Sequence, residues 1–123
     1  MSLRIELSNN EDDSYMIEYD QFLIGPSSQK FKLTLGNKKF GTLTDYFTTS
    51  SNGMKFSTYD QDNDIYPGSC SKQYNGGWWF ASCYSVCLTC ENNEGGQWAL
   101  DINTPEWQYS KTIKMLIKPY FQS

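Results

Sequence analysis

Three aspartates alternate along one short stretch of the chain: Asp60, Asp62 and Asp64, in Y-D-Q-D-N-D-I-Y-P-G. Alternation in a turn-rich segment brings several hard carboxylate oxygens to one side of the backbone, the donor type that calcium takes. The spacing is not that of an EF-hand. Counted from Asp60, Ile65 stands sixth where the sharp turn needs Gly, and Ser71 stands twelfth where a bidentate Glu is needed. Asp and Asn are also ordinary turn residues. The run alone therefore reads either as a calcium loop or as a solvated acidic turn.

Catalytic chemistry finds little support. The chain has no His, which removes the imidazole base of Ser-His-Asp and Cys-His arrangements. A carboxylate pair for glycoside cleavage is conceivable among Glu91, Glu94, Asp101 and Glu106, but nothing places two of them around a cleft. No phosphate-binding Gly loop occurs. The chain is expected not to be an enzyme.

The elements that must position these residues read mostly as strands. Leu3, Ile5 and Leu7 alternate with Arg4 and Glu6, which is strand period. An acidic turn, N-N-E-D-D-S from Asn9 to Ser14, leads to a second strand over Tyr15 to Ile24. Gly25-Pro26-Ser27-Ser28 turns the chain, and Phe31, Leu33 and Leu35 alternate in a third strand. Three consecutive strands imply an antiparallel meander with one wet face. Thr42 to Phe47 has weak helical character. Met54 to Tyr59 alternates after the Asn52-Gly53 turn and is expected to be a central strand delivering Asp60 to the sheet edge, with Ile113 to Ile117 as its partner. Little regular structure is expected between Asp60 and Pro105, and ordered loops of that length are usually functional.

Beyond the Asp run the chain continues C-S-K-Q-Y-N-G-G-W-W-F-A-S-C from Cys70 to Cys83. An Asp run, a Cys, G-G-W-W and a second Cys in this order resemble the C-terminal globe of the fibrinogen-related family. Leu3-Arg4-Ile5-Glu6-Leu7, Lys30 to Gly36, Asn52 to Thr58, Trp107-Gln108-Tyr109-Ser110 and Met115 to Pro119 are similar to further segments of that family. The resemblance covers nearly the whole chain but only the C-terminal half of such a domain. It implies an α+β, mostly β fold: an antiparallel sheet with a long irregular loop region stabilised by calcium and a disulfide. Residues 1–59 would belong to the central sheet region, 60–110 to the calcium- and ligand-binding loops, and 111–119 to a returning C-terminal strand.

Carried over by position, the resemblance implies calcium held by Asp62, Asp64 and the backbone carbonyls of Tyr66 and Gly68, with water completing the shell. Asp60 becomes a turn residue, or one that supports the ligands from behind, rather than a ligand. Cys70 and Cys83 match the family's disulfide, and the Ser82–Cys83 peptide corresponds to a bond that is cis in the family. Several members bind acetyl groups beside that bond, in a small apolar cup with aromatic walls. The matching positions are Tyr74, Cys83, Tyr84, Trp98, Ala99 and Trp107. Taken singly, each of these aromatics is more often a core residue. This chain also departs from the family pattern. Tyr84 stands where many members have His, and Ser85-Val86-Cys87-Leu88-Thr89-Cys90 replaces a Cys-free run. Cys87-x-x-Cys90 reads as a redox motif, half a zinc site or a local disulfide. Without His, zinc would have to recruit Cys70 and Cys83, and a second disulfide is the preferred reading.

The function expected is calcium-dependent recognition of acetylated glycans or other acetyl groups. The alternatives are a protein-interaction module that engages a receptor or peptide, and a non-functional partial domain. Ten basic against fourteen acidic residues, a net charge of −4, argue against a nucleic-acid partner, which selects for a basic face. No apolar run reaches the ~18 residues of a membrane span, and neither a signal peptide nor an oligomerisation segment is read in the chain. Secretion is nonetheless expected, because paired cysteines belong to oxidising compartments.

Overall fold

The computed structural model describes residues 1–8, 13–83, 86–90, 97–101, 106–109 and 112–119, and of 97–101 and 106–109 only the backbone. The central element is β1 (Ser2–Ser8), whose burial alternates strictly. Leu3, Ile5 and Leu7 face inward and are essentially solvent-free, while Arg4 and Glu6 lie on the wet face. On one side β1 pairs antiparallel with β2 (Ser14–Tyr19), Leu3 opposite Tyr19 and Ile5 opposite Ile17. On the other it pairs antiparallel with β9 (Thr112–Lys118), Leu3 opposite Ile117 and Leu7 opposite Ile113. The strand β5 (Lys38–Gly41) joins the far side of β2, giving the order β5-β2-β1-β9. The fold is mostly β and antiparallel, as the resemblance implies.

The expected second strand is two strands. The chain bends after Tyr19, where Asp20 N–H donates to the Asn37 carbonyl at 2.9 Å and Asp20 Oδ1 accepts from Asn37 N–H at 2.7 Å. Phe22 then opens β3 (Phe22–Ile24), which pairs only with β4 (Leu33–Leu35) among the described residues. A two-stranded ribbon thus replaces the third strand of the meander. The expected helix appears four residues later, as α1 (Tyr46–Ser51), because Asp45 Oδ1 caps the Thr48 N–H at 3.1 Å.

The expectation for Met54 to Tyr59 is wrong. The segment is extended but joins no sheet, and Ile113 to Ile117 lies beside β1 instead. Its backbone groups are taken elsewhere. The Met54 carbonyl accepts from Leu33 N–H at 3.0 Å, Phe56 N–H donates to the Lys30 carbonyl at 2.9 Å, and Ser57 exchanges two bonds with Trp78 at 2.9 and 3.2 Å. The region expected to be irregular also contains a short helix, α2 (Cys70–Tyr74), and the strands β6 (Val86–Cys87), β7 (Gln97–Asp101) and β8 (Glu106–Tyr109), which pair in that order.

The core joins the inner face of the main sheet to the G-G-W-W segment. Phe47 of α1 stacks on Trp78 with ring centroids 5.3 Å apart, and Trp79 meets Trp78 and Phe56 edge-on at 5.1 and 5.3 Å. Trp79 Nε1–H donates to the Phe31 carbonyl at 2.9 Å. The core therefore seats the G-G-W-W segment of the loop region against α1 and the start of that region.

Tyr19 is fully buried, and its hydroxyl donates to Asp45 Oδ1 at 2.6 Å. Burial first, and then the hydrogen bond and charge of Asp45, push this phenol far above its ordinary value. The folded state thus holds the Tyr19 proton where the unfolded chain releases it. Stability is complete below the unfolded phenol's value near pH ~10 and falls as pH rises beyond it. Tyr19→Phe should cost about 1.5–3 kcal/mol at neutral pH, the range for a bond to a charged group, and should flatten the alkaline decline. Urea midpoints at pH 7 and pH 11 measure both effects.

Candidate functional site

The acidic loop is anchored by the one residue of its D-N-D run that is not acidic. Asn63 N–H donates to Ser57 Oγ, and Asn63 Nδ2–H donates to the Phe56 carbonyl, each at 2.9 Å. With Asn63 held back against the chain, Asp62 and Asp64 flank it and engage each other's turn. Asp62 Oδ1 accepts from Asp64 N–H at 3.3 Å. Asp64 Oδ1 accepts from Tyr66 N–H and its Oδ2 from Cys70 N–H, both at 3.0 Å. Burial, and behind it the neighbouring Asp62 carboxylate, raise the Asp64 carboxyl above the ordinary value against the pull of these two N–H groups. Asp60 does not join the pair. Its Oδ1 accepts from Thr58 Oγ1 at 2.6 Å.

The donor set fits calcium. Each Asp64 oxygen accepts one N–H and keeps a lone pair, and the Asp62–Asp64 repulsion is what a divalent cation would relieve. Among the described residues no group of three or more His, Cys, Asp or Glu converges. Two carboxylates alone would not complete a calcium shell, so a calcium ion here would also need oxygens from backbone carbonyls and water.

The disulfide is formed: Cys70 and Cys83 are bonded, with Cα atoms 5.6 Å apart. It ties the start of α2 to the segment after Trp79, and the Ser82–Cys83 peptide is cis. Ser69 caps α2 by accepting from Lys72 N–H at 3.3 Å. Because Asp64 holds the Cys70 N–H, the acidic loop, the disulfide and α2 form one connected unit. Tyr74 closes α2, half-buried against the core. Cys87 and Cys90 form the second disulfide, so neither is a metal ligand or a free thiol.

The remaining implied pocket positions are brought together in part. Ala99 pairs directly with Trp107 across β7 and β8, and Trp98 pairs with Val86 of β6. Tyr84 lies outside the described residues, as do the side chains of Trp98, Ala99 and Trp107.

Sequence reasoning passed over Asn63, whose position between two aspartates was the available signal. It also read Tyr59 as the end of a strand rather than part of a tight turn, and missed Asn75, which ends α2 in the left-handed conformation at φ 54°. Asn followed by Gly76-Gly77 is the usual signature of such an end.

Comparison with known proteins shows the family and the fold. Residues 1–120 match the family described as fibrinogen beta and gamma chains, C-terminal globular domain. Fibrinogen-like protein 1 of Bos taurus is 33% identical over 135 aligned residues, covering 96% of this chain and 43% of that protein. The fibrinogen-like globe domain of human ANGPTL2 superposes with a TM-score of 0.83 at 29% identity, over 96% of this chain and 57% of that one. Lamprey fibrin D-dimer, in complex with the peptide Gly-His-Arg-Pro-amide, superposes with a TM-score of 0.76 at 25% identity, over 99% of this chain and 48% of that one. The chain thus spans about half the length of these relatives.

Proposed function

The chain belongs to the fibrinogen C-terminal globular domain family, and from that premise we propose that it is a secreted, non-catalytic, calcium-dependent recognition module for acetylated glycans or other acetyl groups. Asp62 and Asp64, with the carbonyls of Tyr66 and Gly68, would hold the calcium. Tyr74, Cys83, Tyr84, Trp98, Ala99 and Trp107 would line the acetyl cup. The metal supplies charge that neutralises two adjacent carboxylates and no redox or acid–base chemistry.

The observation that carries this reading is the bond from Cys70 N–H to Asp64 Oδ2. It couples the carboxylates to the Cys70–Cys83 bridge and so to the segment that includes Tyr74 and Cys83. Two disulfides among the described residues support an oxidising compartment. No helix among the described residues is long and apolar enough to cross a membrane. Tyr74→Ala tests the cup. Losing a wall of this kind should weaken binding of N-acetylglucosamine at least about tenfold, since aromatic anchors carry much of the energy of small pockets, while calcium still raises the melting temperature of the variant by as much as it raises that of the parent. Calorimetric titration with the monosaccharide reads the outcome, and unchanged affinity would move the site elsewhere.

A second reading is a protein-interaction module that engages a peptide or receptor. The similarity to a lamprey fibrin solved with a peptide favours it, as do Tyr84 in place of His and the Cys87–Cys90 bridge in this chain. Binding of short peptides, with no response to acetylated sugars, would select it.

A further inference from the structure

None of the residues assigned to acetyl binding lines a second recess of about 590 Å³ beside α2. Its walls are Tyr59 and Asp60 on one side and Lys72 and Asn75 on the other, with Gly76 and Gly77 also lining it. Both walls are held in place by the backbone. Thr58 and Gln61 exchange N–H···O bonds at 3.0 and 3.1 Å, closing a two-residue turn with Tyr59 and Asp60 at its tip. Asp60 is fixed further by Thr58 Oγ1. Opposite, Asn75 ends α2 with its N–H on the Ser71 carbonyl.

Gly76 is required by what lies against it, and Gly77 is tightly packed. A Cβ on Gly76 would strike the Thr89 carbonyl, and one on Gly77 would sit 3.0 Å from the Phe56 ring. Thr89 Oγ1 donates to the Gly77 carbonyl, so the Cys87–Cys90 loop packs against this pair and fixes it. The recess is thereby lined in part by bare backbone.

Its chemistry is mixed and mostly uncommitted. Tyr59 is 72% exposed. Among the described residues the Lys72 ammonium has no ion-pair partner and the Asn75 amide no hydrogen-bond partner. One carboxylate and one ammonium leave the recess without net charge, which disfavours a strongly charged ligand, and its polar rim disfavours a wholly apolar one. A pyranose meets both conditions. Its C–H face packs on a phenol ring, and neighbouring hydroxyls donate to a carboxylate while accepting from an amide or ammonium.

We infer that this recess is a second sugar subsite, taking a neutral pyranose ring next to one held beside Tyr74. Tyr74 immediately precedes Asn75, with consecutive Cα atoms about 3.8 Å apart, so one short oligosaccharide reaches both. The acetylated ligand in this picture rests on the proposed function; the recess itself needs only sugar hydroxyls.

The test is an amide-resolved NMR titration of the whole chain with calcium, using N-acetylglucosamine, its β1,4-linked trisaccharide, and cellotriose, which has the same linkage without acetamido groups. The acetylated trisaccharide should bind about tenfold more tightly than the monosaccharide, the scale of one added set of ring contacts. The amides of Tyr59, Asn75, Gly76 and Gly77 should move with both trisaccharides. Tyr59→Ala removes an exposed ring, and Asn75→Gly keeps the left-handed backbone. Each should abolish the trisaccharide gain and leave monosaccharide affinity unchanged. Movement of the recess amides with cellotriose, but of nothing near Tyr74 with N-acetylglucosamine, would sink the acetyl reading and keep the subsite. Unmoved recess amides, or variants that bind the trisaccharide as the parent does, would overturn the subsite itself.

Discussion

Replacing Cys70 and Cys83 together by serine should destabilise the domain by about 3 kcal/mol, the loop-closure value for a bridge of this span. For a chain of this size that is a fall in melting temperature on the order of 10 °C. The effect should not stop at stability. Cys70 N–H is held by Asp64 Oδ2, so loosening the start of α2 loosens one of the two bonds that orient the Asp64 carboxylate. The variant should therefore also lose most of its thermal response to calcium. Scanning calorimetry with and without calcium measures both. A large drop in stability with an intact calcium response would show that the acidic loop is organised independently of the bridge. Serine substitution of Cys87 and Cys90 is the contrast: that bridge closes only three residues, so its loop-closure contribution is smaller.

Asp64→Asn should remove calcium binding. The substitution takes one negative charge from the ligand set, and charge count is a main determinant of calcium affinity. It also turns an amide N–H toward Tyr66 N–H or Cys70 N–H, because Asp64 accepts from both and an amide has one acceptor oxygen. The parent at a calcium concentration a hundredfold above its dissociation constant should gain about 2.7 kcal/mol by mass action; the variant should gain nothing measurable. Asp60→Asn should respond to calcium as the parent does, because that carboxylate is engaged by Thr58. Equal losses in the two variants would mean that the run acts as a diffuse acidic patch rather than a site.

Parts of this arrangement were legible in the chain. Alternation in Leu3 to Leu7 marked one strand correctly, because it buries one face, whereas the strand that includes Ile113 to Ile117 was read from resemblance. Alternation fixes which way a side chain points, not which strand lies alongside, so the partner of Ile113 to Ile117 was misread. The bend after Tyr19 did leave a trace. Tyr15, Ile17 and Tyr19 keep parity, and the next inward residue is Phe22 rather than Gln21. That slip of parity was the sign of a strand ending. Met54 to Tyr59 alternates without joining a sheet because its carbonyls and N–H groups meet Leu33, Lys30 and Trp78 in turn rather than the length of one strand, a long-range fact that no local pattern carries. The acidic loop was read from spacing and resemblance, whereas the Asp64–Cys70 bond that joins it to the bridge needed the fold.

The measurement that bears most directly on the central claim is retention of the whole chain on immobilised N-acetylglucosamine, first with calcium and then with a chelator. Retention in calcium is expected, with release both by free acetylated sugar and by the chelator. Passage straight through the resin by protein that melts cooperatively, and at a higher temperature with calcium, would contradict the acetyl-binding claim while leaving the metal site standing.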